Sequence, residues 1–171
     1  AIRKILRNQD EYFKYLYSKY TLYFDYYVPE LKSASKLLPS EQEMLDAMIY
    51  VAHNYPKVYP VAELLQNKTN QMTCYSLNKL TLLPDGKEVK CRYLVYEESD
   101  FETTPIDYST NEFIIESHLK RHDCFNCSWF ERCQFRCFVQ ADWKDLERLE
   151  DCMFRMFFEE MSQEGLLLNE Q

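Results

Sequence analysis

Glycine is nearly absent: Gly86 and Gly165 are the two in 171 residues. A phosphate-cradling loop needs several glycines close together, so P-loop and Rossmann-type nucleotide binding are excluded. A basic excess is missing too. The formal charge is −8, and with no basic stripe to neutralise phosphates a nucleic-acid partner is excluded. No apolar run approaches the ~18 residues of a membrane-spanning helix, and no charged-then-apolar stretch reads as a secretory leader. The expectation is a cytoplasmic chain with no membrane partner. It starts at Ala1 and enters a helical pattern at once, which reads as a piece of a longer protein.

Rings are plentiful. The 14 Tyr and 11 Phe crowd into residues 12–27 and 125–158, and aromatic side chains bury large areas, so the core is expected to be ring-rich. Cysteine is the other surplus. Seven is an odd count, whereas a secreted disulfide scaffold favours an even count in a shorter chain. Reduced thiols at regular spacing point to metal.

Residues 3–18 place Ile5, Leu6, Tyr12, Phe13 and Leu16 at helical intervals, which predicts an amphipathic helix. Residues 20–28 (YTLYFDYYV) are aromatic and β-branched and read as a strand ended by Pro29. Ser40 and Glu43 make a capping box for a helix carrying Met44, Leu45, Met48, Ile49 and Ala52, which should stop before Pro56. Leu80–Leu83, Pro84-Asp85-Gly86 and Glu88–Cys91 read as a hairpin. Residues 97–110 read as loop and 111–120 as a short helix. A helix is expected from Asp142 to about Met161, with Cys152 inside it.

The cysteines follow one order: Cys74-x11-Gly86-x4-Cys91, a gap, then Cys124-x2-Cys127-x5-Cys133-x3-Cys137-x14-Cys152. A C-x2-C turn brings two sulfurs to one centre, and thiolates bind soft metals and iron–sulfur clusters. From spacing alone, Cys124, Cys127, Cys133 and Cys137 form one plausible local set.

This order resembles the SPASM pattern of radical S-adenosylmethionine enzymes that modify peptides and proteins. The resemblance covers roughly residues 72–160, and the first 70 residues are similar to the last helix–strand–helix of the preceding barrel. It departs in its last interval, which is shorter than the family's, and in Gln134-Phe135-Arg136, where the family often keeps glycine. The fold that the resemblance implies is α+β: the end of an α/β partial barrel, then a β-hairpin and a cysteine-rich, mostly helical domain. Residues 1–70 would be the end of the barrel with a bridging segment, and 71–171 the SPASM domain. Two 4Fe–4S clusters are implied, one on Cys74, Cys91 and Cys137, the other on Cys124, Cys127, Cys133 and Cys152. Those clusters would position a peptide or protein substrate and carry electrons.

The family's S-adenosylmethionine-cleaving loop, C-x3-C-x2-C, is absent from this sequence. The chain by itself is therefore expected to be inactive, with S-adenosylmethionine bound in the parent enzyme only and the rest of the barrel as a partner. Lys90, Arg92, Arg121, Arg132 and Arg136 lie near cysteines, where cations offset the charge of a thiolate-bound cluster. Zinc is the alternative metal, in a structural or protein-interaction module. It would take Cys124, Cys127, Cys133 and Cys152 as a tetrahedral site, with His118 or His122 completing Cys74, Cys91 and Cys137. A peptide-recognition domain that has lost its clusters is a third reading. His53 reads as a polar residue near a helix end, and no Ser/His/Asp or Cys/His triad can be assembled.

Overall fold

The computed structural model describes residues 3, 11–24, 36–66, 81–82, 84–86, 88–89, 119–120, 122–133 and 146–168. The first helix, α1 (Glu11–Lys19), carries no fully buried residue. It leans on its neighbours through rings: Phe13 meets Tyr55 edge-on at 4.8 Å, and Tyr17 meets Tyr55 at 5.1 Å.

Helix α2 (Glu41–Asn54) begins as its sequence dictates. Ser40 Oγ accepts from Glu43 N and Glu43 Oε2 accepts from Ser40 N, both at 3.1 Å. Two N–H groups that the first turn would leave unbonded are thus satisfied. The helix stops at Tyr55, ahead of Pro56, which has no N–H to extend it. Its buried stripe runs through Met44, Leu45, Ala47, Val51 and Ala52, with Met48 and Ile49 half-buried. Ser40→Ala removes half of the capping box and is expected to cost about 1 kcal/mol, read as a lower midpoint in thermal denaturation. A change under ~0.3 kcal/mol would show that Glu43 alone holds this end.

Helix α3 (Val61–Gln66) buries Val61, Ala62, Leu64 and Leu65. Helix α4 (Met153–Gln163) buries Met153, Phe154, Phe157, Phe158 and Met161, spaced i, i+1, i+4, i+5 and i+8 along one face. The faces of α2 and α4 meet, with Leu38, Tyr55, Val58 and Leu146 filling between, to make the core. At the end of α4, Gly165 takes a left-handed φ of 70°. Gly165 N then donates to Ser162 O at 3.1 Å and Leu166 N to Met161 O at 2.9 Å, a Schellman ending that only glycine accepts without strain. The chain returns to α3, where Leu168 N donates to Leu65 O at 3.0 Å.

Three expectations are corrected. Of the strand expected over 20–28, the described part, residues 20–24, forms no strand, and Tyr23 makes one isolated parallel bridge to Tyr59; residues 25–28 lie outside the described residues. Two backbone bonds, Phe24 N to Tyr59 O at 2.9 Å and Tyr59 N to Leu22 O at 3.1 Å, flank that bridge. The ladder ends because Pro60 has no N–H and the chain turns directly into α3. The helix expected from Asp142 to about Met161 is broken: residues 146–152 are not helical, and α4 begins at Met153 with Cys152 as its N-cap rather than inside it, while residues 142–145 lie outside the described residues. The cause is Glu41, a carboxylate only 3% exposed. Its backbone N donates to Glu147 O, and its Oε2 accepts from Leu149 N, both at 2.9 Å. Residues 147–149 therefore direct their backbone groups at the start of α2.

The α+β class is the third correction. Thr81–Leu82 (β1) and Glu88–Val89 (β2) pair antiparallel over two residues each, around Gly86 at φ 84°. As described, that pairing is too short to make a layer. Neither a barrel strand nor a sheet layer is present among the described residues. They are helical, and helix-on-helix packing makes the core. The expected helix at 111–120 is described only at Leu119 and Lys120, which are helical; residues 4–10 and the loop at 97–110 lie outside the described residues. Among the described residues no helix is long and apolar enough to cross a membrane.

Candidate metal centre

Residues 122–133 fold as a run of tight turns. Asp123 is left-handed (φ 51°, ψ 34°), a conformation that Asp tolerates because its short carboxylate bonds locally. That carboxylate accepts from Asn126 Nδ2 at 2.7 Å. Cys124–Asn126 then make one 3-10 turn, closed by Cys127 N donating to Cys124 O at 3.0 Å. The Cys124 thiol itself lies 3.9 Å from the His122 carbonyl, as a weak donor. Phe130 N donates to Cys127 O at 3.0 Å and Cys133 N to Trp129 O at 2.8 Å. Three cysteines are thus placed by backbone bonds within a dozen residues.

Two contacts fasten this loop to the helical core. The Trp129 ring stacks on Phe158 of α4, with centroids 5.4 Å apart and planes at 22°. Arg132 reaches the other way, donating to Leu64 O at 3.1 Å, Leu65 O at 3.0 Å and Leu168 O at 2.7 Å. These are the last carbonyls of α3 and one from the returning tail, so Arg132 ties the loop to α3.

The fourth sulfur arrives from far along the chain. Cys152 caps α4 with extended backbone (φ −65°, ψ 120°) but makes no side-chain capping bond. Cys124, Cys127, Cys133 and Cys152 are all half-buried thiols, none of them in a disulfide. All four line one cavity of about 100 Å³, together with His122, Asp123, Trp129, Phe130 and Arg155.

The donor types on this cavity are those of a thiolate metal centre. Four thiols on one cavity are what soft metals and iron–sulfur clusters take. A single water needs only about 10–15 Å³, so the cavity has room for more than one ion. Tetrahedral zinc, at about 2.3 Å from each sulfur, draws its ligands to one point. Among the described residues no group of three or more His, Cys, Asp or Glu side chains is arranged to hold a metal ion as it stands.

Cys74, Cys91 and Cys137 lie outside the described residues, as do His118, Lys90, Arg92, Arg121 and Arg136. His53 is elsewhere, at the end of α2, 3.1 Å from a Glu164 carboxylate oxygen. Sequence reading missed Arg155, although the signal was there: it stands three residues after Cys152, which on a helix is the same face. Its guanidinium pairs with Asp151 and lies 3.8 Å from Glu159. The Arg155 pKa is held above its ordinary value, first by the Coulombic pull of Asp151 and its hydrogen bond, and further by Glu159 and Cys127, against an opposing effect of burial. No family model, no curated protein and no solved structure matches this chain.

Proposed function

We propose that this chain is the auxiliary iron–sulfur module of a radical S-adenosylmethionine enzyme that modifies a peptide or protein substrate in the cytoplasm. The observation that carries the reading is the meeting of Cys124, Cys127, Cys133 and Cys152, from both sides of a gap in sequence, on one cavity. The cysteine order, with its resemblance to the SPASM pattern, supplies the chemistry. When bound, a 4Fe–4S cluster supplies one-electron transfer. The chain's own residues do the rest. Backbone bonds of the 124–127 turn hold two thiols on one face, and Trp129 stacked on Phe158 covers the cavity from the core side. Arg132 fixes the loop against α3. Cys74, Cys91 and Cys137 hold the second cluster in this reading. The radical-generating loop belongs to the rest of the enzyme, so this chain has no catalytic residue of its own.

Anaerobic reconstitution with ferrous iron and sulfide is the test. The expected product is a brown protein with about eight irons per chain, four for each cluster. A chain that refuses iron and retains zinc is instead a zinc-stabilised interaction module. If replacement of all seven cysteines by Ser leaves folding unchanged, the chain is a recognition domain without metal, and the proposal fails.

A further inference from the structure

The wall of the cavity is charged unevenly. Its lining holds one arginine, Arg155, and one carboxylate, Asp123, with His122 beside them. Asp123 is turned to its own loop, where it accepts from Asn126 Nδ2. Arg155 is steadied from both sides in sequence, by Asp151 just ahead of α4 and by Glu159 one turn further along it. The first turn of α4 contains no acidic residue, so its N–H groups and the guanidinium present positive charge at the same end. Arg155 therefore lines the same cavity as the four thiols without being a ligand, since guanidinium has no lone pair to give.

Resting on the reading above, we infer that Arg155 raises the reduction potential of the centre held by Cys124, Cys127, Cys133 and Cys152. A cluster on four thiolates is negative, and each electron added makes it more so. A nearby fixed cation stabilises the reduced form more than the oxidised one, because Coulomb energy scales with the charge it faces. Asp151 and Glu159 act in the opposite sense and at the same time hold the guanidinium in place. The side chain is 42% exposed, so solvent and salt screen the effect. Arg155 is a positioning residue acting through charge, and its influence on the centre is electrostatic.

Redox titration of the reconstituted full chain tests this, with a Cys91→Ser background to remove the signal of the other centre. Arg155→Gln is expected to keep its iron and titrate at a lower potential. Arg155→Lys restores most of the shift. Asp151→Asn moves the potential upward, opposite in sign, which a packing role would not produce. Arg3→Gln, in a residue paired with Glu43 away from the cavity, leaves the potential unchanged. Added salt narrows the gap between the wild type and Arg155→Gln. Full iron with an unaltered potential in Arg155→Gln overturns the inference and leaves the iron–sulfur reading standing. Loss of iron in both the Gln and Lys variants overturns it in favour of a packing role. Refusal of iron by the wild type sinks the iron–sulfur reading and the inference with it.

Discussion

Joint replacement of Cys127 and Cys152 by Ser is expected to remove about half of the iron from the reconstituted chain, with little change in the stability of the metal-free fold. Serine is a harder and much less acidic ligand than cysteine, so two such changes leave a four-sulfur centre without half of its donors. The fold has little reason to suffer. Cys127 sits in a turn whose bonds are made by backbone groups, Cys127 N to Cys124 O and Phe130 N to Cys127 O. Cys152 is an N-cap whose side chain makes no capping bond, and Ser is among the preferred residues at that place, worth up to about 1 kcal/mol to the helix. Iron analysis beside chemical denaturation of the metal-free chain separates ligand from filler. Full iron retention, or a loss of more than about 2 kcal/mol in the metal-free chain, would mark these cysteines as packing residues. A second pair, Cys127→Ser with Cys137→Ser, separates the two possible ligand sets. It takes one sulfur from each centre under the implied split, but two from one centre if Cys124, Cys127, Cys133 and Cys137 are a local set.

Features set by neighbours in sequence could be read from sequence. The capping box of α2 needs only Ser40 and Glu43, and both reciprocal bonds are present. The Cys124–Cys127 turn is a matter of spacing. Features set across the chain could not be read. Leu146 and Leu149 continue the apolar spacing of Met153–Met161, so the sequence offers one long helix. The carboxylate of Glu41, 108 residues away from Leu149, accepts the N–H that such a helix would have used, and no local pattern announces that contact. The same holds for residues 20–24. Their aromatic and β-branched content suits a strand, yet Phe13 and Phe24 pack ring on ring at 5.5 Å, and Tyr23 stacks on Tyr59 at 4.3 Å. Among the described residues no second strand extends the bridge between Tyr23 and Tyr59. Nor does the sequence announce that Arg132, inside the cysteine loop, donates to Leu64, Leu65 and Leu168 carbonyls more than thirty residues away. Arg155, which the sequence reading passed over, lines the cavity.

Phe158→Ala is expected to be the most damaging single change to the fold, at about 3–5 kcal/mol. The ring is fully buried and touches two others, Trp129 at 5.4 Å and Phe157 at 5.7 Å. Its removal leaves a void that helices already packed on α2 and α3 can close only in part, which is what makes such deletions costly. Against a total stability of roughly 5–15 kcal/mol for a folded domain, the loss is large. For a chain of this length each kcal/mol lowers the thermal midpoint by roughly 2–4 °C, so calorimetry of the metal-free protein should show a marked drop. The damage also reaches the cysteines by a traceable route. Trp129 O receives Arg132 N at 3.0 Å and Cys133 N at 2.8 Å, so a Trp129 that has lost its stacking partner loosens the backbone that places the third sulfur. Phe158→Leu refills most of the volume without the ring. It should recover most of the stability but less of the metal affinity, because a branched aliphatic side chain gives Trp129 no stacking face. Equal recovery of both by Leu would reduce the Trp129–Phe158 contact to filled space, and α4 would then position only Cys152 and Arg155.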